Sequence, residues 1–408
     1  MSESRDEVLV LGGGVIGLAC AQALAAAGRG VRVLERDRIG VATSHGNCGT
    51  LTPSHALPLA APGMFGKALR WMLQADAPFL VRPRWDPSLW AWLLHFAARS
   101  NERTFRAAIA PKAVLLNTSE RLLDELVTSR RLDCGYRREG MLYVYRDATE
   151  FDTAWRRHLL LCEHGIAVEN WSAAKTEAEE PALLPGLAGA LYFPGDGHLR
   201  PERYSAELAR IAIEDGACIE EGVEIIAIVR ERETWVATAR DGRRWRAGDL
   251  LLACGPWTAR MARSLGLRLP IMPGKGYSIT YDRPALVPRR PLVLRDHSVC
   301  VTAWDDGYRL GSTMEFAGYD DRLTRARLDA LERAATMALR VPLGPVKREE
   351  WFGWRPMTWD DLPVLGAVRG RPGLWLATGH GMMGVSMSAV SGRLLADLLV
   401  VLHLPGGP

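Results

Sequence analysis

The stretch Val8-Leu9-Val10-Leu11-Gly12-Gly13-Gly14-Val15-Ile16-Gly17, with the alanine-rich run to Ala27 and then Val31-Arg32-Val33-Leu34-Glu35, decides the fold. The opening apolar run makes a strand. Gly12, Gly14 and Gly17 follow at G-x-G-x-x-G spacing, and the small side chains from Leu18 to Ala27 predict a helix. A second apolar strand ends at Glu35, roughly 20 residues beyond the glycines, as an adenine-dinucleotide fingerprint requires. Gly12 turns the chain out of the strand, Gly14 lets a pyrophosphate approach the backbone, and Gly17 lets helix and sheet touch. The first helical turn, at Val15 and Ile16, offers free N–H groups and a positive dipole end to the phosphates. Glu35, with Arg36 beside it, accepts from a ribose diol, and its charge disfavours the 2′-phosphate of NADP. This stretch alone is compatible with FAD or NAD.

The 408 residues suit two domains or one interleaved pair. Apolar residues make up 48 % and no low-complexity block interrupts them, as in an ordinary globular protein. The longest apolar run, Leu394 to Leu404, is too short to span a bilayer and holds Asp397 and His403. Glu3, Asp6 and Glu7 occupy the place of a signal-peptide apolar core, so a cytoplasmic location is expected. Seven cysteines without a C-x-x-C pair read as reduced thiols packed as small hydrophobes, with no disulfide frame and no metal site. A net charge of +4 without a basic run gives no footprint for nucleic acid. Only five of the 51 basic residues are lysine, so an arginine at any one position carries little information by itself.

Ala42 to Thr50 is small, polar and punctuated by glycine, which predicts a loop leading back to the nucleotide crevice. Ser44, His45, Asn47, Gly49 and Thr50 suit a segment packed against a cofactor. Residues 54–110 hold Trp71, Trp85, Trp90 and Trp92 and little clean periodicity. Lys67 to Leu73 and Leu89 to Ala98 are expected as short helices, the second with Trp90, Leu93, Leu94 and Ala97 on one face. Burial of that face is the expectation; the alternative is an amphipathic surface, residues 64–98, that touches a membrane peripherally. Lys112 to Arg130 reads as an amphipathic helix with Val114, Leu115, Leu122, Leu126 and Val127 inward.

Leu250-Leu251-Leu252-Ala253-Cys254-Gly255-Pro256-Trp257 repeats the opening pattern. Its unbroken apolar run marks a parallel strand buried on both faces, so the nucleotide domain resumes here, with Gly255 and Trp257 at the crevice. From Gly274 to Leu339, short strands and the helix Thr324–Leu339 predict the second part of an antiparallel, helix-backed domain. The last informative stretch holds Gly353-Trp354-Arg355-Pro356, Asp360 and Pro363. A strand, Leu374–Ala377, then leads into Thr378-Gly379-His380-Gly381-Met382-Met383-Gly384 and a helix from Val385 to Leu402.

Together these motifs resemble the D-amino-acid oxidase superfamily, which includes glycine oxidase, sarcosine oxidase and D-amino-acid dehydrogenase. The stretch Pro53 to Arg82 and Gly274-Lys275-Gly276-Tyr277-Ser278 are similar to the bacterial D-amino-acid dehydrogenase branch. The resemblance covers essentially the whole chain. It implies FAD and an α/β (α+β overall) architecture. A Rossmann-like FAD-binding domain (1–85, 195–270 and 350–408) is interleaved with a substrate domain (86–194 and 271–349) built on an antiparallel sheet backed by helices. It implies that Ser44 to Thr50 lies along the isoalloxazine. A helix N-terminus from Gly381 to Gly384, with Gly379, His380, Met382 and Met383, then faces the flavin N1/O2 edge. His45 lies close to the position of the flavin-linked histidine in the dimethylglycine-dehydrogenase branch, but the surrounding residues differ, so non-covalent FAD is expected.

The implied reaction is oxidation of a D-amino acid by hydride transfer from Cα to flavin N5, with hydrolysis of the imine to a 2-oxo acid and ammonia. Arg355 matches the family's carboxylate-binding arginine, and a bidentate guanidinium would orient Cα–H. Tyr277 is the expected hydroxyl donor to the same carboxylate, and His45 the expected shaper of the substrate side. Lys275 and Asn47 are lesser candidates. A quinone or dye-type acceptor is expected. The alternatives are a cyclic D-imino acid substrate, an oxygen-using amine oxidase, a flavoprotein subunit that passes electrons to a partner chain, and a non-enzymatic NAD sensor. The sequence does not fix the oligomeric state.

Overall fold

The structure, a computed structural model, describes residues 7–63, 79–82 and 84–402. The expected helix at Lys67–Leu73 lies outside them. The opening strand Glu7–Leu11 pairs in parallel with Gly30–Leu34 on one side and Asp249–Leu252 on the other. Leu374–Thr378 and Cys218–Glu220 extend this sheet in parallel, and Val364–Ala367 closes it antiparallel. Strands from the start, middle and end of the chain thus share one sheet, and the parallel ones deliver Gly12, Glu35, Ala253 and Gly379 to a common edge.

The helix Val15–Ala26 crosses from the first strand to the second and is buried along nearly its whole length. Its small side chains explain this. The C-terminal helix Ser388–Leu402 approaches so closely that a Cβ on Gly392 would lie 2.4 Å from the Ala19 carbonyl oxygen. Helix Pro201–Glu214 packs on the same core, where Leu18, Leu24, Leu208 and Leu395 meet.

A second, larger sheet runs Lys347–Met357, Met272–Tyr281, Gly307–Phe316, Val299–Trp304, Leu292–Leu294, Met141–Tyr145, Gly189–Phe193, Glu169–Ser172, with Phe79–Val81 added alongside Gly307–Phe316. It is mainly antiparallel and is backed by helix Arg325–Ala338, whose Leu328, Leu331 and Ala335 are buried.

Three sequence expectations shift here. The long helix is Glu102–Arg130, and it buries Phe105, Ile109, Ala113, Leu116 and Leu123, while Val114 is exposed. Two polar residues share its inner face: Lys112 pairs with Asp361, and the Ser119 hydroxyl accepts from the Val390 N–H. Of the residues expected inward, Leu115, Leu122, Leu126 and Val127 pack half-buried against the core and Val114 alone faces out. The helix Pro87–Arg99 buries Leu89 and Trp92, with Trp92 stacked on Phe96 and against Phe316. Trp90 and Leu94 face out, and Trp85 is 99 % exposed. The C-terminal helix starts at Ser388 instead of Val385, so Gly381–Gly384 is a turn and no helix end. Among the described residues, no helix is long and apolar enough to cross a membrane.

Candidate active site

A cavity of about 1040 Å³ opens between the edge of the parallel sheet and the face of the larger one. At its nucleotide end Gly12 has φ +109°, and a Cβ there would lie 2.6 Å from the Ala253 carbonyl oxygen. A Cβ on Gly17 would lie 1.9 Å from the Gly12 carbonyl oxygen. The fingerprint glycines thus let two strands and a helix converge where a side chain would hold them apart. Gly14 is the helix N-cap and offers no side-chain cap; the Val15 N–H donates to Ser44 Oγ at 3.0 Å. The Glu35 carboxylate accepts from the Gly13 N–H at 2.6 Å and the Asp37 N–H at 2.9 Å, which leaves acceptor sites for a diol. Arg36 lies over the Trp257 ring at 5.1 Å, and both line the cavity with Gly255.

The loop after the second strand is clamped between the two sheets. Arg309, almost fully buried in the larger sheet, donates to the carbonyls of His45 (2.9 Å) and Asn47 (2.7 Å). Thr43 Oγ1 donates to the Trp354 carbonyl, and a Cβ on Gly46 would strike the Trp351 ring at 2.0 Å. Ser44, Asn47, Cys48 and Thr50 line the cavity as a result.

Arg355 projects into the far half of the cavity from the strand Lys347–Met357. Its guanidinium lies on Gly276, where a Cβ would come within 2.4 Å of it, and its Nη1 donates to the Thr313 carbonyl at 2.7 Å. That carbonyl is aimed by an irregularity opposite Gly276, where Ser312 (φ +135°) and Thr313 (φ +56°) both leave the usual strand region. Positive φ at a β-branched residue is a strained conformation of the kind that clusters at binding sites. The Thr313 hydroxyl is buried, lines the cavity and has no hydrogen-bond partner among the described residues. Removal from bulk water pulls the Arg355 guanidinium below its ordinary value. Among the described residues no carboxylate pairs with it.

A dinucleotide cradle at one end and, at the other, a guanidinium with no carboxylate partner among the described residues agree with the proteins this chain resembles. A family model described as FAD dependent oxidoreductase matches residues 7–398. The chain belongs to that family. It is 37 % identical to a D-amino acid dehydrogenase of Paramagnetospirillum magneticum, over 96 % of this chain and 94 % of that one. It is 31 % identical to a D-amino acid dehydrogenase of Vibrio cholerae, again over 96 % and 94 %. Among solved structures, glycine oxidase from Geobacillus kaustophilus superposes with a TM-score of 0.76 at 24 % identity, covering 96 % of this chain and 94 % of that one. L-α-glycerophosphate oxidase from Mycoplasma pneumoniae with FAD bound superposes with a TM-score of 0.74 at 17 % identity, covering 97 % and 94 %. These last two likenesses concern the fold.

The protein is thus an FAD-dependent oxidoreductase, and its residues fit the cofactor. The cradle made by Gly12, Gly14 and Gly17, the uncapped start of the first helix and the Glu35 carboxylate would hold the adenosine and pyrophosphate. A turn built on Gly379 (φ +78°) and Gly381 (φ +54°) brings His380, Gly381, Met382 and Met383 to the cavity wall. The His380 ring bonds Ser391 Oγ at 2.8 Å, so its imidazole is committed inside the protein. Gly49 (φ +71°) lies off the wall, packed on the Leu199 carbonyl.

Tyr277 and His45 are placed elsewhere. The Tyr277 hydroxyl donates to Glu315 Oε2 at 2.7 Å and lies 3.1 Å from Thr324 Oγ1, away from the cavity lining. Lys275 turns from the cavity too and lies over the Phe352 ring at 4.4 Å. His45 points out of the loop to Glu349 at 2.8 Å, while its neighbours Ser44 and Gly46 line the wall. A Tyr277 hydroxyl committed to Glu315 is unsuited to a substrate carboxylate, and a His45 ring turned to Glu349 leaves that part of the wall to Ser44 and Gly46.

The structure adds a group that the sequence did not single out. His55 lines the cavity, and its ring lies 3.0 Å from the Tyr143 hydroxyl. Tyr143 lies 3.4 Å from Ser54 Oγ, which donates to the buried Asp196 at 2.5 Å. Pro53-Ser54-His55 and the Asp196-Gly197-His198 turn are far apart in sequence, so only the fold joins them.

These buried groups make stability depend on pH. Loss of hydration pulls His55 and His380 from 6.5 to about 3, and His158 and His198 from 6.5 to about 4. Folded values below unfolded ones mean that this stability is present above pH 6.5 and lost as pH falls toward 4. Burial raises Asp196 and Glu180 to about 7, so their contribution is present at low pH and lost as pH rises through 7. Four histidines outweigh two carboxyls below about pH 6.5. The Tm is expected to climb from about pH 4.5 to 6.5 and to level off or dip slightly by about 7.5; a steady fall over the lower interval in a calorimetric series would contradict this balance.

Proposed function

We propose that the protein is an FAD-dependent D-amino-acid dehydrogenase that converts a D-amino acid to a 2-oxo acid and ammonia. The observation that carries this reading is Arg355, a guanidinium inside the cavity with donors to spare and no carboxylate partner among the described residues. FAD, when bound, supplies hydride acceptance at N5. The chain's own residues bind and orient. Arg355 grips the substrate carboxylate in a bidentate way, and the free Thr313 hydroxyl adds a further polar contact beside it. His55, neutral at pH 7, presents an acceptor to the substrate amine, and Tyr143 fixes its ring. The apolar wall from Met314, Phe316 and Met357 keeps water from the reacting Cα. The mouth, where Arg157, Arg295 and Asp296 are exposed, gives access from solvent.

The two-domain division at residues 85/86, 194/195, 270/271 and 349/350 belongs to this reading. The order of segments in the two sheets supports the divisions near 194/195 and 270/271, whereas Phe79–Val81 and most of Lys347–Met357 fall on the FAD side of the other two although they pair in the larger sheet. A quinone acceptor and a cytoplasmic location with peripheral contact at the inner membrane face belong to it as well, supported by the outward-facing Trp85, Trp90 and Leu94.

The test is anaerobic bleaching of the flavin absorbance by a panel of D- and L-amino acids, with D-proline and D-hydroxyproline included. Bleaching by D-amino acids and turnover with a dye or quinone are expected. Bleaching only by L-amino acids would overturn the reading. A response confined to the cyclic substrates, or peroxide formation in air at the rate seen with dye, would move it to an alternative within the family.

A further inference from the structure

We propose that Cys48 and Cys300 form an oxidisable thiol pair in the wall of the substrate cavity, which a hydroperoxide converts to a disulfide beside Arg355. This goes beyond the proposed reaction and does not depend on the identity of its substrate.

The geometry comes from Gly311. Cys300, in the strand Val299–Trp304, stands directly opposite Gly311 in the antiparallel register. Directly opposed residues share one face of the sheet, with Cβ positions about 5 Å apart. Gly311 has no side chain, and the sulfur of Cys48 fills its place: a Cβ built there would lie 2.5 Å from Cys48 Sγ. The Cys48 sulfur therefore stands within side-chain reach of Cys300. Both residues line the cavity that contains Arg355. Cys48 is carried by the clamped loop and Cys300 by the sheet, so two separate elements meet at the pair.

Their surroundings differ from those of Cys20, Cys134 and Cys254. Burial pushes Cys20 and Cys134 up to about 12, as expected of inert core thiols, and does the same to Cys254 on the cavity wall. Contact with Cys300 holds the Cys48 thiol below its ordinary value, against burial, and the Arg309 and Arg355 cations add to that. The same contact, with burial, pushes Cys300 up. Cys48 is thus the member of the pair that gives up its proton more readily, and Cys300 the resolving thiol.

The chemistry balances with a hydroperoxide as oxidant. The Cys48 thiolate attacks one peroxide oxygen, the O–O bond breaks, and the departing alkoxide or hydroxide takes a proton. Cys48 is then a sulfenic acid. The Cys300 sulfur attacks the Cys48 sulfur, the S–O bond breaks, and hydroxide leaves with the Cys300 proton as water. Two electrons from the pair have reduced one hydroperoxide.

The experiment treats the holoenzyme with hydrogen peroxide at near-equimolar ratio and maps its peptides without reduction. The expected result is a Cys48–Cys300 linked peptide, lighter by two hydrogens and released by dithiothreitol, with two fewer titratable thiols per denatured chain. Cys300→Ser is expected to stop at a Cys48 sulfenic acid that dimedone traps, and Cys48→Ser to leave Cys300 reduced. Recovery of both cysteines as free thiols in the wild-type enzyme, while the exposed Cys162 and Cys218 oxidise, would overturn the proposal. So would oxidation of Cys48 to the sulfinic acid without any linked peptide. The wild-type map decides the matter even if a variant fails to fold.

Discussion

Arg355→Ala is expected to lower kcat/KM for a carboxylate-bearing substrate by about 10²–10⁴-fold while FAD and the fold are retained. A guanidinium has five N–H donors, and the Thr313 carbonyl takes up one of them. Charge-assisted bonds in a cavity shielded from bulk water are stronger than neutral ones, and two parallel bonds also fix the angle of Cα–H to its acceptor. Arg355→Lys keeps the charge and loses the fork, so it should fall between wild type and alanine. Gly276→Ala gives a sharper test of the same geometry. Its new Cβ would come within 2.4 Å of the Arg355 guanidinium, the movable end of a long side chain. The fold should accept the change and the arginine should yield. A displacement near 1 Å can cost about 10²-fold in rate, so Gly276→Ala should lose activity with every charge still present. Steady-state kinetics with a dye acceptor, alongside flavin absorbance per chain, separate these outcomes. Near-wild-type turnover in Arg355→Ala would remove the residue from the site. A raised KM with unchanged kcat would reduce its role to uniform binding.

The limits of the sequence reading follow from which contacts are local. The run from Val8 to Glu35 encodes strand, turn, helix and strand within itself, and Leu250 to Trp257 does the same, so the nucleotide half was legible. The place of Arg355 at the cavity was legible because Gly-x-Arg-Pro is a local motif. Tyr277 was not, because its face depends on an irregularity in pairing between Lys275 and Tyr277. A slip of one residue in a strand exchanges its two faces, and no alternation of residue types reports it. Arg309 was hidden by composition: one arginine among many in a strand gives no sign that it clamps the His45–Asn47 loop from across the chain. His55, Tyr143 and Asp196 were hidden by distance along the chain. Gly311 was read as part of a strand, although its missing side chain is what admits the Cys48 sulfur. In the helix Glu102–Arg130, Lys112 lies on the buried face without an apolar signal to announce it, because only a buried partner such as Asp361 makes a lysine an inner residue.

Gly17→Ala is expected to leave the purified protein largely free of flavin and to lower its Tm. The added Cβ would lie 1.9 Å from the Gly12 carbonyl oxygen, which is backbone and has no rotamer to yield. The helix Val15–Ala26 must then lift from the strand. Its other side is fixed by the C-terminal helix, where Gly392 already touches the Ala19 carbonyl, so the strain spreads through the nucleotide-side core. Overpacking of this kind costs about 3 kcal/mol. Losing a ligand held at 100 times its Kd removes about 2.7 kcal/mol more. The two contributions separate when the wild type is also stripped of FAD. The gap between the apo proteins reports the steric term, and the larger gap between wild-type holoenzyme and the variant adds the cofactor term. Flavin released into the supernatant on denaturation of the wild type gives the occupancy reference and establishes that attachment is non-covalent; colour retained in the precipitate would contradict it. A Gly17→Ala protein that purified with one FAD per chain and bleached normally would mean that the close approach of helix and strand is not what holds the nucleotide.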